Sequence, residues 1–184
     1  KINFEKQPVV FISGHFANFE IMAMKLHQQN IKLAAIFRPL NNFFLNPMME
    51  YLRIKYICPV QIKKGKAGVK EMLKKYKEGF SIALMIDQRV SEGIKVNFFE
   101  KPALTTTIPA QLVLRFNCKI VPIYCERIDN LKFKITINQP LEFDNLENNS
   151  QNIEYITLKL NNILEKMIKQ NPGQWIWSHN RWRQ

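Results

Sequence analysis

The chain has 184 residues, 46% hydrophobic and 23% charged, which is enough for one domain with a buried core and too apolar for overall disorder. Its formal charge of +12 implies attraction to nucleic acid, an anionic membrane or an acidic protein, and charge alone does not choose among them. Cys58, Cys118 and Cys125 are widely spaced with no CxxC pair, which argues against a disulfide framework or a structural zinc site and suits a reducing compartment.

In chain order, an apolar run at residues 9–14 predicts a strand, and Phe19, Met22, Ala23 and Leu26 then recur at helical spacing. A second strand is expected at 32–39, followed by a helix carrying Val69, Met72, Leu73 and Tyr76. Residues 80–86, FSIALMI, are strand-sized, and no apolar run approaches the roughly 18 residues of a membrane-spanning helix. Residues 105–117 read as a helix, with a threonine near its N-cap and Pro109 in its first turn. Strands follow at 119–127 and 132–137, then a polar loop at 144–152 and an amphipathic helix at 153–170. This order predicts an α/β fold in a single domain over residues 1–184, with a mainly parallel central sheet flanked by helices. The chain begins at Lys1 rather than methionine, which implies an upstream segment able to carry a membrane anchor.

Within VVFISGHFANFE, His15 follows the first strand and Glu20 lies five residues on. Five residues of one α-helix turn a side chain by roughly 140°, so the two meet only if His15 precedes the helix. With Asn18 as N-cap, His15 sits on the turn and Glu20 in the first helical turn, where the macrodipole favours a carboxylate. Glu20 could then fix the imidazole tautomer and leave the other nitrogen as a base. Equally, His15 could cap a turn while Glu20 answers only the dipole. Ser13 lacks the elbow sequence of a hydrolase nucleophile, so a base here would act on a hydroxyl of the substrate.

GHFANFE resembles the HxxxxD/E block of the glycerolipid acyltransferase superfamily, in the form seen in the lipid A late acyltransferases of Gram-negative bacteria. The segments FRPLNN, IDQ, FFEKPALTTTIPA, VPI and QWIWSHNRW follow in the corresponding order and cover nearly the whole chain. The resemblance implies transfer of a fatty acyl group to a hydroxyl of a lipid A precursor. The donor would be an acyl thioester of acyl carrier protein, or alternatively of coenzyme A with a glycerophospholipid or glycolipid acceptor. His15 would be the general base and Glu20 its orienter, with no covalent enzyme intermediate, no metal and no cofactor.

Arg38 matches the family's arginine block, and its forked donors suit a substrate phosphate. Asp87, at the end of an apolar strand, matches a site-shaping block. Asn18, Thr105 and Thr106 complete the candidate substrate-binding set, although helix capping explains at least one threonine. The resemblance also implies the cytoplasmic face of the bacterial inner membrane. The lysines of residues 61–79 suit acyl carrier protein, a phosphorylated lipid or an anionic membrane surface. The cluster of Trp175, Trp177, Trp182, Arg181 and Arg183 suits a headgroup-level interface or nucleic-acid stacking, and a packed C-terminal strand or turn explains it more simply. A nucleic-acid-binding domain is the different-class alternative; no recognisable nucleic-acid signature supports it. His27 is expected on the polar side of the first helix, and His179 is assigned a structural role.

Overall fold

The structure, a computed structural model, describes residues 7–183; Gln184, the last residue of the tryptophan-rich segment, lies outside them. The strands are β1 (Val10–Ser13), β2 (Leu33–Phe37), β3 (Val60–Lys63), β4 (Ser81–Met85), β5 (Ile94–Phe98), β6 (Lys101–Thr105), β7 (Ile120–Asp129) and β8 (Lys132–Ile137). The helices are α1 (Glu20–Gln28), α2 (Leu45–Leu52), α3 (Lys66–Lys77), α4 (Ile108–Phe116) and α5 (Ser150–Gln170), with a π-helical turn at Arg53–Ile57 after α2. Six strands form a mainly parallel sheet in the order β3-β2-β4-β1-β7-β8, and β5 and β6 form a separate antiparallel pair. β1 is buried at all four positions, as a central parallel strand requires, whereas the edge strand β8 carries exposed lysines that discourage further pairing.

The chain forms two compact units. The first takes the chain up to Phe11 and Glu20–Leu84. Here β2 pairs in parallel with both β3 and β4. α3 buries Gly68, Met72 and Tyr76 at a spacing of four and turns its lysines outward. A Cβ on Gly68 would stand 1.9 Å from the Lys63 carbonyl oxygen, so only glycine lets α3 approach the end of β3 this closely.

The second unit takes Ile12–Phe19 and the chain from Met85 onward. α5 starts a turn earlier than its apolar pattern implies, because the Asn149 side chain accepts from the Asn152 N–H at 2.9 Å and caps it. Its Ile156, Leu160, Leu164, Met167 and Ile168 are buried, each stabilising by about 1.5–3 kcal/mol. The helix expected at 105–117 is shorter at its start, since Thr105 ends β6. It stops at Asn117, which adopts the left-handed conformation at φ 48°. The β5–β6 turn also has left-handed φ at both central residues, Phe99 (49°) and Glu100 (63°). Neither is a usual residue for such a turn, so the hairpin carries no sequence signal. Among the described residues, no helix is long and apolar enough to cross a membrane.

Candidate active site

β1 ends at Ser13, whose hydroxyl donates to the Ile123 carbonyl at 2.7 Å and is thereby committed to the scaffold. The Ile86 N–H donates to the Ser13 carbonyl at 3.0 Å, which brings the end of β4 beside the turn that carries His15. Asp87, one residue further, reaches that turn and uses both carboxylate oxygens. Its Oδ1 lies 2.7 Å from His15 Nδ1, and its Oδ2 accepts from the His15 backbone N–H at 2.8 Å and from Trp175 Nε1 at 2.9 Å.

Asp87 is only 2% exposed. Burial by itself pushes its carboxyl up, but the His15 side chain, the His15 N–H and the Trp175 indole together hold it below the ordinary carboxylate value. An ionised carboxylate can only accept, so Nδ1 carries the proton, and in the neutral imidazole this leaves the lone pair on Nε2. The His15 side chain is 17% exposed, enough to be reached. Its ring packs edge-on against Phe19 at 4.6 Å between centroids, which restrains rotation about the bond to Asp87.

The C-terminal segment closes the turn from the other side. Ala17 N–H donates to the Gln174 carbonyl at 2.8 Å, and Ile176 N–H donates to the His15 carbonyl at 3.0 Å. Ala17 takes the left-handed φ of 44° that this stitching requires. Phe16, fully buried, packs edge-on against Tyr124. His15 is thus held by its ring, its N–H and its carbonyl at once.

The profile of the bacterial lipid A biosynthesis acyltransferases matches residues 1–184. The chain belongs to this family. A lipid A biosynthesis acyltransferase of Haemophilus influenzae is 24% identical over 184 residues, covering 97% of this chain and 57% of that protein. The chain therefore spans little more than half the length of that relative.

Against the expectations for a lipid A acyltransferase of this family, the partner of the histidine differs. Glu20 was expected to accept from the imidazole; instead its Oε1 accepts from Arg53 Nε at 3.0 Å and Nη2 at 2.6 Å. The physical reason is competition: a forked guanidinium offers two charge-assisted bonds to Glu20, while strand adjacency delivers Asp87 to His15. Arg53, stacked over the Phe37 ring at 5.2 Å, was not singled out from the sequence, and no local pattern marks it.

Arg38 is exposed immediately after β2. Asn18 is exposed and lies two residues before α1, one short of the N-cap position, and its carbonyl accepts from the Cys125 thiol. Thr106 accepts the Ile108 N–H at 3.4 Å, a turn contact just ahead of α4, whose N-cap residue Thr107 makes no side-chain capping bond.

Thr105 is 1% exposed and accepts from Arg181 Nη2 at 2.6 Å and Asn161 Nδ2 at 3.3 Å, so its hydroxyl is an internal strut. Of the readings open for the tryptophan and arginine cluster, Arg181 takes the packed one. It is fully buried: Nη1 donates to the Leu104 carbonyl at 2.6 Å, and the guanidinium lies 5.0 Å from the Phe98 ring centroid. Burial pushes Arg181 down to about 10, opposed by the pull of the Asp87 charge. Trp175 is likewise buried, and only Trp177 of the three tryptophans is exposed. Apolar packing outweighs a surface role for these rings because their N–H groups find internal acceptors, Asp87 for Trp175 and the Phe98 carbonyl for Trp182. His179 Nε2 accepts the Arg89 N–H at 3.0 Å, and His27 is exposed on α1.

Proposed function

We propose that this chain is the catalytic part of an O-acyltransferase that moves a fatty acyl group from a thioester to a hydroxyl of a lipid A precursor. The observation that carries the reading is the His15–Asp87 pair at 2.7 Å, in a chain of the lipid A biosynthesis acyltransferase family. His15 Nε2 takes the proton of the acceptor hydroxyl as its oxygen attacks the thioester carbonyl. The tetrahedral intermediate collapses, the C–S bond breaks, and the imidazolium returns the proton to the departing thiolate. Asp87 keeps Nδ1 protonated and stabilises the imidazolium, a contribution of about 10²–10⁴ in rate for acid–base catalysis of this kind.

Arg38, exposed at the end of its strand, offers a guanidinium for a phosphate of the acceptor. Acyl carrier protein is the preferred donor, because an acidic carrier complements a chain of net charge +12. The setting is an anionic membrane surface at the inner face of the bacterial inner membrane.

The test is a product assay with acyl carrier protein and coenzyme A thioesters, each against a lipid A precursor and a lysophospholipid. Transfer to the lipid A precursor that disappears in His15→Ala, with the far-ultraviolet spectrum unchanged, supports the reading. Transfer to the lysophospholipid alone overturns the acceptor assignment, and retained turnover in His15→Ala overturns the base assignment.

A further inference from the structure

Residues 40–56, in the first unit, present a surface of the kind a soluble helix normally hides. α2 buries no residue at all. Phe43 and Phe44 are 82% and 86% exposed, Met48 51%, Tyr51 57% and Ile54 50%. At about 100° per residue, Phe44, Met48 and Tyr51 fall within one arc of about 60°, so the helix carries an apolar stripe turned to solvent. Contiguous exposed apolar patches of this kind mark an interaction surface.

The charges beside the stripe favour one occupant. The acid of this segment, Glu50, is taken by Lys63 at 2.9 Å, and Arg53 is taken by Glu20. Lys55 remains as the charge on offer. Its ammonium donates to the Tyr51 hydroxyl at 3.0 Å and lies within 5.3 Å of the Tyr51 and Tyr56 ring centroids. Phenylalanine and methionine flanked by tyrosines and a lysine match a helix lying in the headgroup layer. A second copy of a +12 chain would instead set like charges against each other.

Resting on the membrane setting proposed above, we infer that residues 40–56 are the surface that seats the protein on an anionic bilayer, with Phe43, Phe44 and Met48 entering the boundary between headgroups and acyl chains and Lys55 meeting lipid phosphate. This surface is independent of the His15 chemistry, so binding is read without turnover.

The experiment is sedimentation of the 184-residue chain with phosphatidylcholine vesicles, with and without phosphatidylglycerol. The double variant Phe43→Ser, Phe44→Ser should keep its circular dichroism and lose about tenfold or more in partition coefficient on both vesicles. Lys55→Gln should lose about fivefold on the anionic vesicles and nothing on the neutral ones. Wild-type failure to bind, or undiminished binding of the double variant, overturns the inference. So does a concentration-dependent dimer in analytical ultracentrifugation that the double variant abolishes, since the face would then be covered by a second copy.

Discussion

Asp87 grips His15 twice: Oδ1 lies 2.7 Å from the ring nitrogen Nδ1 and Oδ2 accepts the backbone N–H of the same residue at 2.8 Å. One carboxylate therefore sets both where the imidazole sits and which nitrogen is protonated. Asp87→Asn should keep the backbone bond through its carbonyl oxygen but can present an amide to Nδ1, which selects the wrong tautomer. The expected loss in kcat is about 10²–10⁴-fold with KM little changed, measured by acyl transfer in the steady state.

Glu20 separates two roles that a sequence pattern merges. Glu20→Gln leaves Arg53, whose side chain is 13% exposed and whose Nη1 is already buried without a partner among the described residues, short of its counter-charge. Stability should fall by about 1–3 kcal/mol, read from urea unfolding, while kcat per folded molecule stays within a few-fold of wild type. A collapse of kcat equal to that of Asp87→Asn would restore Glu20 as the orienter of His15.

Arg181 anchors the C-terminal segment to β6 from inside. Arg181→Ala removes the donors to Leu104 and Thr105 and opens space against Phe98, and should cost about 3–5 kcal/mol. The readout is the urea midpoint, with Arg183→Ala, at an exposed position, as the control that moves little.

Acid stability follows from Asp87. Its carboxyl is held below the ordinary 3.8 because, although burial raises it, the His15 and Trp175 bonds lower it more. A depressed folded value means the contribution is complete above the ordinary carboxylate range and is lost as pH falls through the folded value. Below about pH 4 the wild type should therefore lose Tm more steeply than Asp87→Asn, measured by thermal melts on a pH series.

Cys58 and Cys125 are buried, and burial pushes both thiols up to about 11. At pH 8 about one in a thousand would be thiolate, so a disulfide reagent should label them slowly in the native protein and rapidly in denaturant.

Local pattern in the sequence was sufficient for five of the six sheet strands, for α1, α3, α4 and α5 to within a turn, and for the block series that resembles the acyltransferases. Hydrophobic periodicity carries that information because each element's buried face is written along its own residues. It missed α2, whose apolar face turns outward, β3, whose pattern is too short, and the β5–β6 hairpin, turned by Phe99 and Glu100 without glycine or asparagine. It also named His15 and Asp87 without joining them. Their contact spans 72 residues and exists because the ends of β1 and β4 lie side by side, while Arg53, 33 residues from Glu20, takes the carboxylate that spacing had assigned to the imidazole. The candidate residues were legible locally; which of them pair was decided by strand adjacency and by the competition of donors for each carboxylate, and neither exists before the chain is folded.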